Sequence, residues 1–246
     1  MRLLCAALLV LVAAVSPALG QTPGDRQKAR IAGKAGWDYM RAEAFEKAVT
    51  SFQQSIELDP SFEMSFYGLG RAHLALKQYV SAISALSRCR DLYIAQVGRQ
   101  FTSQQDAQRY RQDRVTEMDE LIRQLQSGPQ TPTVQDQLRQ VQEHKRQIQE
   151  YITRGNNMTI APSVPAWVSL SLGSAFFRSG KLAEAETEYK AAISADPRSG
   201  EAHSNLAVVY LETNRFNEAL DSINTAKKNG FKVNPELERV IREKAK

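Results

Sequence analysis

Small and large apolar positions recur along this chain in one fixed order, and the order occurs four times. A small pair, Leu-Gly or close to it, is followed three residues later by an aromatic or a histidine. An alanine comes nine residues after that, and a large apolar residue four after the alanine. In one copy these are Ala35, Gly36, Tyr39, Ala48 and Phe52, followed by Ser55 and Pro60; in another they are Leu172, Gly173, Phe176, Ala185 and Tyr189, followed by Ala192 and Pro197. The offsets repeat at 34 residues: Gly36 to Gly70, Ala48 to Ala82, Leu172 to Leu206, Phe176 to Tyr210, Ala185 to Ala219 and Ala192 to Ala226. Spacings of three and four within each copy predict helices with one buried face. Gly36, Gly70 and Gly173 mark where two such helices approach too closely for a side chain. Ala48, Ala82, Ala185 and Ala219 mark the same crossing on the second helix. Tyr39, Phe52, Phe176, Tyr189 and Tyr210 fill the space between, and Pro60 and Pro197 stop the second helices.

These positions resemble the tetratricopeptide repeat family, in which each repeat is two antiparallel helices joined by a tight turn. The repeats fall at residues 29–62, 63–96, 166–199 and 200–233. The resemblance implies an all-α fold, a short right-handed solenoid of four repeats in two pairs (29–96 and 166–233). The second copy is degenerate, with His73 for the aromatic, Cys89 for the late alanine and Ile94 where proline would end the helix, so its second helix is expected to run on. The fourth ends at Asn229-Gly230 instead of proline. Asn234 and Pro235 then read as the N-cap and first position of a further helix, with Leu237, Val240 and Ile241 on its apolar face. Residues 234–246 fit a helix that caps the last repeat.

Residues 97–165 interrupt the repeats and number 69, close to two more copies, but the register puts Thr116 and Glu150 at the close-packed alanine and fits neither. Val115, Met118, Ile122 and Leu125 form one stripe; Val134, Leu138, Val141, Ile148 and Ile152 form another, interrupted by Lys145. Ser127-Gly128-Pro129 breaks the chain between them, with Thr133 as a candidate N-cap. The expected object is an antiparallel helical hairpin with a coiled-coil-like stripe. It either projects from the solenoid or packs along it, and its stripe could join two copies through residues 103–153.

The N-terminus is of another kind. Arg2 precedes an apolar run from Leu3 to Val15, then Pro17 and the small residues Ala18-Leu19-Gly20. Residues 1–20 are expected to be a secretory signal, cleaved near Gly20, which places the protein in a secreted or periplasmic setting. The alternative is an uncleaved anchor, for which the run is short against a span of roughly 20 residues. Without that segment Cys89 is the only cysteine, so no internal disulfide forms, and it reads as a small buried hydrophobe.

The formal net charge of +5 is concentrated at Arg26, Lys28, Arg30 and Lys34 and at the C-terminal lysines and arginines. Such ends can make weak contact with anionic surfaces, but no basic-aromatic interleaving marks a nucleic-acid reader. His73, His144 and His203 have no metal-ligand spacing, and no phosphate loop or nucleophile turn is present. The reading is therefore no metal, no cofactor and no catalytic group. Asn157-Met158-Thr159 is a formal glycosylation sequon of low specificity.

Binding is what remains. The family resemblance implies that the first helix of each repeat lines a concave groove for a peptide or protein. Its groove candidates here are Trp37, Arg41, Tyr67, Arg71, Trp167, Ser174, Phe177, Asn205 and Val208. The alternative for Trp37 and Trp167 is packing between repeats. The family's clamp for chaperone C-termini needs polar side chains where Gly33 and Trp37 stand, so it is not expected. The function read from the sequence is a non-catalytic interaction scaffold. An envelope-complex subunit that oligomerises through the hairpin, or a cell-wall enzyme, are the competing readings.

Overall fold

The computed structural model describes residues 23–96, 101, 103–153 and 164–246. The signal-like residues 1–20 and the Asn157 sequon lie outside the described residues. Among those described, every regular element is a helix: α1 (Pro23–Arg41), α2 (Phe45–Leu58), α3 (Glu63–Ala75), α4 (Tyr79–Gln96), α5 (Gln104–Ser127), α6 (Pro132–Thr153), α7 (Ala166–Arg178), α8 (Leu182–Ala195), α9 (Gly200–Glu212), α10 (Phe216–Lys228) and α11 (Pro235–Lys244). None of these helices is long and apolar enough to cross a membrane.

The pairs α1–α2, α3–α4, α7–α8 and α9–α10 are the four repeats. Their crossings follow from side-chain size. A Cβ added at Gly36 would lie 2.7 Å from the Phe52 ring, and one at Gly173 would lie 2.7 Å from Tyr189. Phe52 also meets Gly68 of the next repeat, so one ring fills the space between glycines of successive repeats. Ala48, Ala82, Ala185 and Ala219 are fully buried, which lets the paired helices meet at these points.

Each repeat turns between its two helices through a residue in the left-handed region: Glu43, Lys77, Gly180 and Asn214 occupy equivalent places, with φ between 54° and 81°. Glycine and asparagine accept that conformation readily, whereas glutamate and lysine carry a steric cost there. With no proline to stop it, α4 runs for 18 residues against 14 in α2 and α8.

The insertion does not interrupt the stack. Helix α4 packs on α7 as α2 packs on α3 and α8 on α9. Arg90 on α4 reaches Glu188 on α8 across the same junction. Four repeats therefore stack without a break, and α11 covers the last one, with Ile241 fully buried and Glu236 N–H donating to the Asn234 cap at 2.8 Å.

The inserted α5–α6 hairpin packs along the solenoid. Helix α5 lies against α1, and α6 against α7 and α9. Met118, Leu121, Leu125 and Val141 are buried in the same core as Trp37, Phe52, Tyr67 and Trp167, with Ile122, Val134 and Leu138 packed around it. This stripe is internal to one chain, so the alternative of joining two copies through it loses its main support. The hairpin turn differs in detail too. Val134 N–H donates to Thr131 Oγ1, so Thr131 and not Thr133 caps α6, and Pro132 takes the first helical position. Lys145, which breaks the apolar seam, pairs with Asp119 of α5 across the hairpin.

Candidate functional site

Equivalent positions on the four first helices form rows along one face of the stack. One row holds Arg30, Met64, Trp167 and Glu201; a second, seven residues further on and so two turns away, holds Trp37, Arg71, Ser174 and Val208. The hairpin lies across the first row. Arg30 pairs with Asp113, the Trp167 and His144 rings meet at 81° with 5.0 Å between centroids, and the Glu201 N–H donates to Asp136 at 3.0 Å. Met64 lines a crevice beneath α5 together with Glu117.

Charge holds the α5 end. Arg114, nearly inaccessible, pairs with Glu63 at the start of α3 (2.7 Å) and with Glu117 one turn along α5 (3.1 Å), and its guanidinium lies over the Tyr110 ring. Glu63 also accepts from the Gln96 amide of α4, whose oxygen accepts from the Tyr110 hydroxyl. Arg41 of α1 reaches Glu120 at 3.0 Å. Four helices meet at these groups. Burial pushes the Glu117 carboxyl up to about 7, against the pull of Arg114.

A hydrogen-bonded latch holds the α6 end. Asp136 accepts from the Glu201 N–H, the Ser199 hydroxyl (3.1 Å) and the Gln140 amide (3.1 Å), so a carboxylate from the hairpin sits at the N-terminus of α9. Ser199 in turn caps that helix by accepting from Ala202 N–H. Arg139 spans Asp136 (2.9 Å) and Asp196 (2.6 Å). Burial and the neighbouring Asp136 charge raise the Glu201 carboxyl to about 8. Burial, with the Arg114 charge, holds His144 down to about 4, so it stays neutral against Trp167.

The nine groove candidates divide accordingly. Trp37, Tyr67 and Trp167 are buried, at 4%, 1% and 1% exposure. Trp37 packs on Phe52 (5.1 Å) and Tyr67 (6.1 Å), and Tyr67 reaches Ser171 at 3.4 Å. These three aromatics are core residues. Arg41 is engaged by Glu120 and by Asp38. Arg71, Ser174, Phe177, Asn205 and Val208 remain partly exposed. Arg71 lies over the Tyr67 ring, and Ser174 accepts from Tyr189. The second row is thus covered at the first repeat and open over the other three.

Arg30, Glu63 and Glu201 escape a search for groove residues because no local spacing marks them. The 34-residue register does place Arg30 and Glu201 in one row with Trp167.

Among the described residues no group of three or more His, Cys, Asp or Glu is placed to hold a metal ion. His73 bonds Gln78 and His203 faces the Pro197 carbonyl. Cys89 is fully buried, and that burial pushes its thiol well up, away from the nucleophilic thiolate.

The family profile described as Tetratricopeptide repeat matches residues 34–94 and 170–230. No curated protein matches the chain. Among solved structures it is similar to PilW, described as a widely conserved type IV pilus biogenesis factor, at 14% identity over 89% of this chain and 86% of that one, with a TM-score of 0.42. It is also similar to TTC0263, a thermophilic protein of Thermus thermophilus, at 18% identity over 88% and 98%, with a TM-score of 0.36. Pseudomonas aeruginosa pilF matches at 13% identity over 90% and 89%, with a TM-score of 0.34. At such identities and scores these likenesses assign no function.

Proposed function

Because the chain carries tetratricopeptide repeats in both halves, we propose that it is a non-catalytic interaction scaffold in a secreted or periplasmic setting. It takes a peptide or protein on the first-helix face of the stack. The observation that carries this reading is the open row of that face. Arg71, Ser174 and Val208 stand at equivalent positions on α3, α7 and α9, with Phe177 and Asn205 beside them, all partly exposed. An arginine held over an aromatic ring and a half-exposed phenylalanine are the groups on which interfaces concentrate their energy. Binding there is surface complementarity without turnover.

The compartment rests on the charged, apolar and small-residue order of residues 1–20. N-terminal sequencing of exported protein should begin near Gln21. For the interaction, the mature chain and an Arg71→Ala, Phe177→Ala, Val208→Ala variant are used as bait in the same extract. The expected result is a partner held by the unaltered chain and lost by the variant, with equal helical circular dichroism for both baits. Equal recovery by both would overturn the reading.

A further inference from the structure

The groove that the repeats build is partly filled by the chain itself, and the filling is apolar at its centre and charged at its edges. Along α5, Asp113 and Glu120 stand seven residues apart and face Arg30 and Arg41 of α1. Met118 between them and Leu121 just beyond Glu120 enter the core beside Trp37 and Tyr67. The fit is incomplete. A crevice of about 300 Å³ remains between α1, α3 and α5, lined by Trp37, Phe62 and Met64 beneath and by Thr116 and Glu117 of α5 above. A polar threonine at the mouth of an apolar crevice leaves surface that a larger apolar side chain would cover. The carboxylates and guanidiniums at its edges regain hydration when they separate, and the apolar contacts that Met118 and Leu121 give up would be taken over by the side chains of the helix that replaces α5.

We infer that α5 is a displaceable internal occupant, and that the seat under it accepts an amphipathic helix of a partner. That helix would carry two carboxylates seven residues apart for Arg30 and Arg41, and a bulky apolar residue where α5 has Thr116. This seat lies apart from the open row of Arg71, Ser174 and Val208 and adds a second place of interaction to the scaffold proposed above, on whose interaction role it rests.

The probe is a fluorescent synthetic peptide of residues 104–127, in three forms: native, Thr116→Leu, and charge-reversed at Asp113→Arg and Glu120→Arg. Each is titrated against the full-length chain and against an Asp113→Arg, Glu120→Arg variant, whose own α5 is repelled from Arg30 and Arg41. The native peptide should bind the variant at least tenfold more tightly than it binds the unaltered chain. The Thr116→Leu peptide should bind the variant tighter still, by severalfold, and the reversed peptide should bind neither protein. Equal or absent binding of the native peptide to the two proteins would overturn the inference, as would a Thr116→Leu peptide that gains nothing.

If the variant loses its helical circular dichroism, an Arg30→Glu, Arg41→Glu chain replaces it, and the reversed peptide should then be the one that binds. Unfolding of both variants would show the hairpin to be indispensable core and would equally overturn the inference. Failure here, with the Arg71, Phe177 and Val208 substitutions still abolishing partner recovery, would leave the scaffold reading standing and remove only the displaceable seat.

Discussion

Phe52 and Arg114 are both buried, in the same molecule and close to the same helix α3, yet they hold different things together. Phe52 sits between Gly36 and Gly68 at 75° to the Trp37 ring, and its fit depends on volume. Arg114 sits among Glu63, Glu117 and Tyr110, and its fit depends on charge. The first kind of contact recurs through the repeat stack: Tyr189 against Gly173, Leu86 against Gly70. The second is concentrated where the hairpin meets that stack, at Arg30–Asp113, Arg41–Glu120 and Asp136–Ser199. Apolar burial loses its stabilisation outright when opened, whereas separated ions are solvated again. The hairpin does add Met118, Leu121 and Val141 to the apolar core, but its flanks are held by charge, so the stack is the frame and the hairpin the layer expected to open first.

The largest effect is expected in the frame. Phe52→Ala should cost about 3–5 kcal/mol, because a large cavity opens between two repeats whose backbones cannot close on it. Urea unfolding followed by circular dichroism should show the loss as a lower midpoint for the whole chain. A loss confined to the hairpin would break the contrast.

A smaller and more local effect is expected at the latch. Asp136→Ala removes the acceptor shared by Glu201 N–H, Ser199 and Gln140. It should cost about 1–3 kcal/mol, the penalty of leaving buried donors unpaired. Faster amide exchange should appear in α6, with α3 and α4 unchanged.

Acidity should move the same latch. Glu201 holds its proton to about pH 8 in the fold, against an ordinary value of 4.5. The folded state therefore binds more protons than the unfolded state between these limits, and its stability falls as pH rises through them. Exchange at the start of α9 should accelerate severalfold from pH 5 to pH 8, after correction for intrinsic exchange, whereas in α6 the lowered pKa of His144 opposes the change below its ordinary value of 6.5. Glu201→Gln should abolish that dependence at the start of α9.

The smallest effect lies at the turns. Lys77 and Asn214 occupy equivalent left-handed positions, but only asparagine is suited to them. Lys77→Gly should raise stability by about 0.5 kcal/mol, since relief of the steric cost is partly offset by the entropy glycine brings to the unfolded chain. Asn214→Gly should change it less.

The two regions also differed in how far the sequence disclosed them. The stack was readable because its packing rule is local and repeats: glycine, aromatic and alanine recur at fixed offsets, and each crossing joins neighbours in the chain. The two hairpin helices were readable for the same reason, through Val115, Met118 and Leu125 and through Val134, Leu138 and Val141. Where the hairpin would dock was not. Its docking contacts join residues far apart, as Arg41 and Glu120 or Gln140 and Ser199 do, and no period connects them. That is why Trp37, Tyr67 and Trp167 read as groove residues although they lie in the core under the hairpin. Aromatics beside arginines are residue types that a binding surface uses, but burial depends on what a distant segment covers.

The contrast between frame and layer is tested most directly on the unaltered chain by amide hydrogen exchange followed residue by residue at neutral pH. The account predicts that α5 and α6 exchange through a local opening, clearly before α3, α4, α7 and α8, which should exchange together at the global limit. Equal protection of the hairpin and these central repeat helices would contradict it, and would make the hairpin as much a part of the frame as Phe52.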